Sequence, residues 1–243
     1  MIILSVGMPR AGSGWYYNLT HALALAAGYQ DAHSIRQRYH LQRILTEVNC
    51  NIGALNYRRL LAVLLPSLLG NTFVIKAHAG PTPFALNLVR RGWIRPAYIY
   101  RDPRDAMLSA FENGQRSLQK GHPNAFSHLT SFETSLDFML DYLRIWEAWM
   151  ACDQALHSRY EDLLFDYESQ ASRLVTFLGL DAENESVCAV IEKFRPESAR
   201  SGQKGLHFSQ GKTGRFRHKM SPEQQAILAE KFGPYLQRMG YAI

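Results

Sequence analysis

The feature that most narrows the fold lies at the start of the chain, where an apolar run breaks into a glycine-rich turn and then a helix. Ile2 to Val6 is a short apolar stretch ending at Gly7 and reads as a buried strand. Beyond the turn, Trp15, Leu19, Leu23 and Ala26 recur at helical spacing, and Gly28 is placed to stop the helix. The turn itself is Gly7-Met8-Pro9-Arg10-Ala11-Gly12-Ser13-Gly14-Trp15. A strand entering a helix this way aims several backbone N–H groups at one point, at the positive end of the helix dipole, and phosphate suits that point. Gly12 and Gly14 permit close backbone approach.

The rest of the chain alternates strand and helix patterns. Thr72 to Lys76, Ala97 to Tyr100 and Ala155 to Tyr160 read as strands. Helices are predicted over Pro83 to Arg91, from the Asp102-Pro103 start pair to about Glu112, through Phe138, Tyr142, Ile145 and Trp149, over Tyr167 to Leu178, and over Pro222 to Lys231. Asn113 to Ser131 reads as a long polar connection. This pattern predicts one α/β domain over residues 1–243, with a central, mostly parallel sheet covered by helices on both faces. Leu60 to Leu69, interrupted by Pro66, falls short of the ~20 residues of a membrane span and reads as a buried helix. Met1 to Gly7 has no basic region of a signal peptide. Cys50, Cys152 and Cys188 have neither zinc nor disulfide spacing, so a reduced, cytoplasmic setting without metal is expected.

Charge is concentrated in one place. The chain has 27 basic and 21 acidic residues, a net charge of +6. Arg195, Arg200, Lys204, Lys212, Arg215, Arg217 and Lys219, against Glu197 alone, put that whole excess between residues 195 and 219. A Gly- and Ser-containing basic segment suits an anion, and by itself suits solvent equally well.

Gly7 and Gly12 have Walker A spacing, but Ser13 and Gly14 stand where that motif needs Lys and then Ser/Thr. The missing lysine argues against an ATPase or kinase. Pro9-Arg10-Ala11-Gly12-Ser13-Gly14-Trp15 instead resembles the Pro-Lys-Ser-Gly-Thr-Thr-Trp loop of sulfotransferases, which use 3′-phosphoadenosine 5′-phosphosulfate (PAPS) as donor. Four further stretches resemble that family in order. Tyr98 to Ser109 looks like its 3′-phosphate motif, with Arg101 at a strand end and Ser109 eight residues on. Lys76-Ala77-His78 is similar to the Lys-Thr-His of the cytosolic branch. Tyr160-Glu161-Asp162-Leu163 matches a segment that sets a Tyr beside the nucleotide. Gly211-Lys212-Thr213-Gly214-Arg215-Phe216 looks like the late phosphate loop, but Ser209 and Gln210 replace its Arg-Lys pair, which Lys212, Lys204 or Arg215 would have to make good.

The resemblance implies a P-loop-like three-layer fold and transfer of a sulfuryl group to a hydroxyl or amine of a small acceptor, leaving adenosine 3′,5′-bisphosphate (PAP). His78 would take the acceptor proton, and Lys76 and Arg10 would stabilise developing charge. Arg10 stands for the usual Lys and cannot give up its proton. Donor contacts would come from Arg10, Ala11, Gly12, Ser13, Gly14, Arg101, Ser109, Tyr160, Gly211 and Lys212, with Trp15 and Phe194 as adenine walls. Acceptor contacts are expected from Tyr29 to Tyr57 and Asn113 to Ser131, including Tyr39, Tyr57 and Phe126. Two other readings stand beside it: a P-loop kinase using Asp102 for magnesium, and a nucleic-acid binder using the basic segment.

Overall fold

Alternating burial organises the fold around its first strand. β1 (Ile2–Gly7) sends Ile2, Leu4 and Val6 to one face and Ile3 to the other, and both faces are covered. β2 (Phe73–Ala77), β3 (Ile94–Tyr100) and β4 (Leu156–Arg159) complete a parallel sheet in the order β2-β1-β3-β4. The computed structural model describes residues 1–197 and 211–243. Within them the helices are α1 (Ser13–Ala26), α2 (Ala32–Arg38), α3 (Tyr57–Leu68), α4 (Pro83–Arg90), α5 (Pro103–Gln119), α6 (Phe132–Met150), α7 (Tyr160–Phe165), α8 (Tyr167–Leu178), α9 (Glu185–Lys193), α10 (Phe216–Lys219) and α11 (Pro222–Met239). No described helix is long and apolar enough to cross a membrane.

One core packs α1, α8 and α9 against Ile3, Val74, Ala97 and Ile99; the other packs α3, α4, α6 and α11 against Leu4, Val6, Ile75 and Tyr98. The outer edge of β2 is not bare. Ile52 N–H donates to the Lys76 carbonyl at 2.9 Å, and Lys76 N–H to the Cys50 carbonyl at 3.2 Å, so a short piece of the 50–52 segment closes it.

The strand directions put chemistry at one end. The residues that follow the four strand ends are the Met8 turn, His78, Arg101 and Tyr160. Strand order reverses between β2 and β3 around β1, and open parallel sheets bind ligands in the crevice that such a reversal leaves. Gly7 is required there. A Cβ on it would lie 2.7 Å from Ser13 Cβ and 2.8 Å from Ile99 Cγ2.

The structure departs from the sequence expectation in several elements. α5 continues through Gly114 to Gln119, so the expected connection from Asn113 shrinks to residues 120–131. The reason is tertiary: the 120s loop folds back onto α5, and Gly114 leaves room for the Phe126 carbonyl. β4 stops at Arg159, and Tyr160 begins α7, a helix the periodicity did not announce. α11 runs on to Met239, with Gly233 buried in its packed face. α3 is amphipathic rather than buried: Leu60, Val63 and Leu64 face inward, while Leu61, Leu65 and Leu68 are exposed.

Gly114 generates a stability prediction. A Cβ there would stand 2.1 Å from Phe126 O. Gly to Ala in an exposed helix would stabilise by up to ~1 kcal/mol. Gly114→Ala should instead destabilise by roughly 1–3 kcal/mol through overpacking, seen as a lower urea midpoint. A raised midpoint would show that the loop yields freely.

Candidate active site

The glycine-rich turn is held by its own backbone. Met8 N–H donates to the Ile99 carbonyl at 3.0 Å and Ala11 N–H to the Met8 carbonyl at 3.2 Å. Two residues take left-handed conformations, Arg10 at φ 64° and Gly12 at φ 73°. For Arg10 that geometry is strained. Gly12 is needed twice over, because a Cβ would also fall 2.6 Å from the Tyr160 ring. Gly14 already lies inside α1 and carries no such backbone demand. Seven other helices start under a side-chain cap, whereas α1 has neither a capping side chain nor an acid in its first turn. Among the described residues no side chain caps its first turn, the arrangement that suits an anion.

Beside the turn sits His78, whose Nδ1 lies 2.6 Å from the Gly7 carbonyl. A carbonyl only accepts, so Nδ1 carries the proton and Nε2 presents its lone pair. Burial, then the charge of Lys76, push the imidazole down to about 4, and it is neutral at pH 7. Lys76, 5% exposed, is itself pushed down to about 8 by burial and by Arg10. It is still charged at neutral pH. Burial, with Arg116 and Arg101 nearby, also lowers Arg10. The Arg10 guanidinium donates to Ser109 Oγ at 3.1 Å and lies 5.8 Å above the Phe126 ring.

Arg101 is buried at the end of β3. One of its terminal nitrogens donates to Asp105 Oδ2 at 3.2 Å and to the Lys212 carbonyl at 2.6 Å, and the guanidinium stacks 4.7 Å from the Tyr160 ring. Arg101 and Asp105 have the i,i+4 spacing of an ordinary surface ion pair, but the pair is buried. Asp102 caps α5 and also holds Arg104 through two oxygens at 3.0 and 2.9 Å. That engagement leaves the carboxylate unsuited to the magnesium role of the kinase reading.

These groups surround a cleft of about 750 Å³. Among the described residues, six cations line it, Arg10, Lys76, Arg101, Arg116, Lys212 and Arg215, against a single carboxylate, Glu112. Arg215 takes that carboxylate at 2.7 and 2.8 Å. Arg10, Lys76, Arg116 and Lys212 have no acidic partner among the described residues. Phe111, Phe126, Phe138 and Tyr142 supply aromatic surface, with Phe138 4.9 Å from Tyr142 and 6.0 Å from Phe126.

Of the residues singled out from sequence, Arg10, Gly12, Ser13, Gly14, Trp15, Lys76, His78, Arg101, Ser109, Tyr160, Gly211 and Lys212 all line this cleft. Ala11 is wholly buried beneath the turn. Trp15 is 1% exposed, stacked on Tyr167 at 6.1 Å, and its indole N–H donates to the Phe194 carbonyl at 3.1 Å. Phe194 lies outside the cleft lining and contributes that carbonyl rather than a ring wall. Arg215, expected as a phosphate ligand, is engaged by Glu112. Tyr39 accepts from Asn71 and Tyr57 is exposed at the start of α3, so neither lines the cleft; Asn49 and Phe126 do. Ser209, Gln210, Arg200 and Lys204 lie outside the described residues. Sequence reasoning missed Glu112 and Arg116, although their helical spacing from Ser109 sets them on one face of α5 with it, and it missed the burial of Asp105, which no spacing announces.

A parallel α/β sheet with a phosphate-type turn at its strand ends defines the class of protein. The family described as "Sulfotransferase domain" matches residues 2–240, and the chain belongs to it. No curated protein sequence matches the chain. Solved structures share the fold. A retinol dehydratase in complex with retinol and PAP has a TM-score of 0.60 at 18% identity, covering 97% of this chain and 81% of its own. A mouse sulfotransferase complexed with PAP has a TM-score of 0.58 at 17% identity, covering 97% and 84%. A putative steroid sulphotransferase of Arabidopsis thaliana has a TM-score of 0.53 at 17% identity, covering 100% and 78%.

The environment of His78 sets a pH dependence. Its folded pKa of about 4 lies below the ordinary 6.5, so the unfolded chain takes up the proton first as pH falls. The stability contributed by neutral His78 is present above pH 6.5 and lost between 6.5 and 4. Urea denaturation should therefore show a steeper acid loss for the parent than for His78→Asn, which keeps a donor for the Gly7 carbonyl. Identical slopes would mean an unperturbed imidazole.

Proposed function

We propose that this chain is a PAPS-dependent sulfotransferase that delivers a sulfuryl group to the hydroxyl or amine of a small acceptor through the cleft at the strand ends. One observation carries the reading: an uncapped helix start, four cations without acidic partners among the described residues and a neutral imidazole converge on one cleft. Relatives of the same fold hold PAP together with retinol or androsterone, which supports a nucleotide donor and an apolar acceptor.

Bound PAPS would supply the sulfuryl group and depart as PAP. The turn N–H groups and Ser13 hold the 5′-phosphate end, while Arg101, Ser109 and Lys212 meet the 3′-phosphate. His78 Nε2 accepts the acceptor proton, its orientation set by the bond from Nδ1 to Gly7. Arg10 and Lys76 face the charge that grows on the departing oxygen. Arg10 stabilises it by hydrogen bonding alone, whereas Lys76, held at about 8, can also lend a proton. The aromatic surface of Phe126, Phe138 and Tyr142 carries the body of the acceptor.

Titration calorimetry tests the donor. PAP should bind roughly ten- to a hundredfold better than AMP, the worth of one charged hydrogen-bonded contact. Equal affinities would remove the 3′-phosphate role of Arg101 and Ser109. Incubation with PAPS and an acceptor panel, read by mass spectrometry, then tests transfer. His78→Ala should lose about two to four orders of magnitude in turnover with PAP affinity nearly unchanged; near-normal turnover excludes His78 as the base.

A further inference from the structure

One carboxylate sits immediately behind a site built of cations. Asp105 is 1% exposed, does not line the cleft and is not the cap of α5, a role taken by Asp102. Its oxygens are fully engaged. Oδ2 accepts from Arg101 at 3.2 Å and from Gly214 N–H at 2.6 Å, and Oδ1 accepts from Phe216 N–H at 3.1 Å. The same Arg101 nitrogen that reaches Asp105 also donates to the Lys212 carbonyl at 2.6 Å. Three backbone groups between residues 212 and 216 are thus pinned to α5 and β3 by one ion pair, across more than a hundred residues of sequence. Phe216 opens α10 and has no intrahelical acceptor for its N–H, so the carboxylate is what holds it. Arg101 Nε makes no hydrogen bond among the described residues but lies 4.0 Å from Glu161 Oε1, which holds the guanidinium from a second side.

We propose that Asp105 is a positioning residue for donor recognition. It sets Arg101 and the 212–216 backbone as one unit facing the cleft, so that selection for a 3′-phosphate passes through a residue that never touches it. The proposal rests on the PAPS reading above. It also runs against simple electrostatics. Removing a negative charge from beside an anion site should tighten anion binding, whereas loss of this scaffold should weaken it.

Asp105→Asn separates the two. The amide keeps the shape and one accepting oxygen, but its NH2 group opposes the remaining donors. PAP affinity should fall by about tenfold or more, with AMP affinity changed much less. KM for PAPS should rise more than kcat falls. A merely structural role would lower the melting temperature and leave the PAP-to-AMP ratio alone. PAP bound as well or more tightly by the variant, while the parent prefers PAP to AMP, overturns the proposal and spares the donor reading. A parent that does not bind PAP overturns both. Should the variant not fold, amide hydrogen exchange in the parent decides: Gly214 and Phe216 should exchange far more slowly than exposed Thr213, without added nucleotide. Equal rates at the three amides would remove the clamp.

Discussion

Positive charge that outnumbers the available acid is the constraint around which this molecule is arranged. Lys76 is a strand residue in a sheet covered on both faces, and burying an ammonium there costs several kcal/mol unless an anion comes to it. Nothing acidic does so among the described residues. Arg10 makes matters worse, standing close enough to depress Lys76 while being depressed in turn by Arg116 and Arg101. The free chain holds this repulsion in place with packing. Gly7 and Gly12 have no side chain because neighbouring atoms occupy the space, and Arg10 accepts a left-handed backbone between them. Such a site is preorganised for a polyanion in the sense that its reorganisation cost has been met during folding.

The sheet explains how motifs so far apart in sequence act together. Parallel strands all end on the same side, so each strand delivers one chemical group to the crevice: backbone N–H groups from β1, an imidazole from β2, a guanidinium from β3 and a phenol ring from β4. Tyr160 ties three of these together, lying against Gly12 on one side and beneath the Arg101 guanidinium on another. The C-terminal residues reinforce the same region. Arg104 donates to the Ala242 carbonyl at 2.7 Å, and Tyr241 donates to Glu161 at 2.6 Å, so the end of the chain is buttressed against the β3 motif.

Much of this was legible in the sequence because it is local. The first strand, its turn and α1 follow from a short, mostly apolar run, two glycines and a helical period within thirty residues. Lys76, His78 and Arg101 were readable as a set because each sits at or just beyond a strand end, and Ser109 because it lies two turns into the helix that follows β3. What escaped depends on contacts between distant segments. Gly114 falls in the stretch that reads as a polar connection, yet it lies inside α5 as a docking notch for the Phe126 carbonyl. Arg215 looked like a free phosphate ligand until Glu112, on another helix, was seen to hold it. The Arg101–Asp105 pair has the spacing of an ordinary exposed helix pair, and only the arrival of the 212–216 backbone buries it. Trp15 has the helical spacing of a core residue and is one, whatever else its cleft-facing edge meets.

Gly7 belongs both to the phosphate turn and, through its carbonyl, to the imidazole. The proton affinity of Nε2 is low for two reasons, burial and the charge on Lys76, and an anion beside Lys76 cancels the second. The proton affinity of Nε2 therefore rises when an anion occupies the neighbouring site. Reciprocity requires the converse, that a protonated imidazole hold the anion more tightly. Two neighbouring charges and one shared peptide carbonyl thus couple the imidazole to the anion site without a moving part.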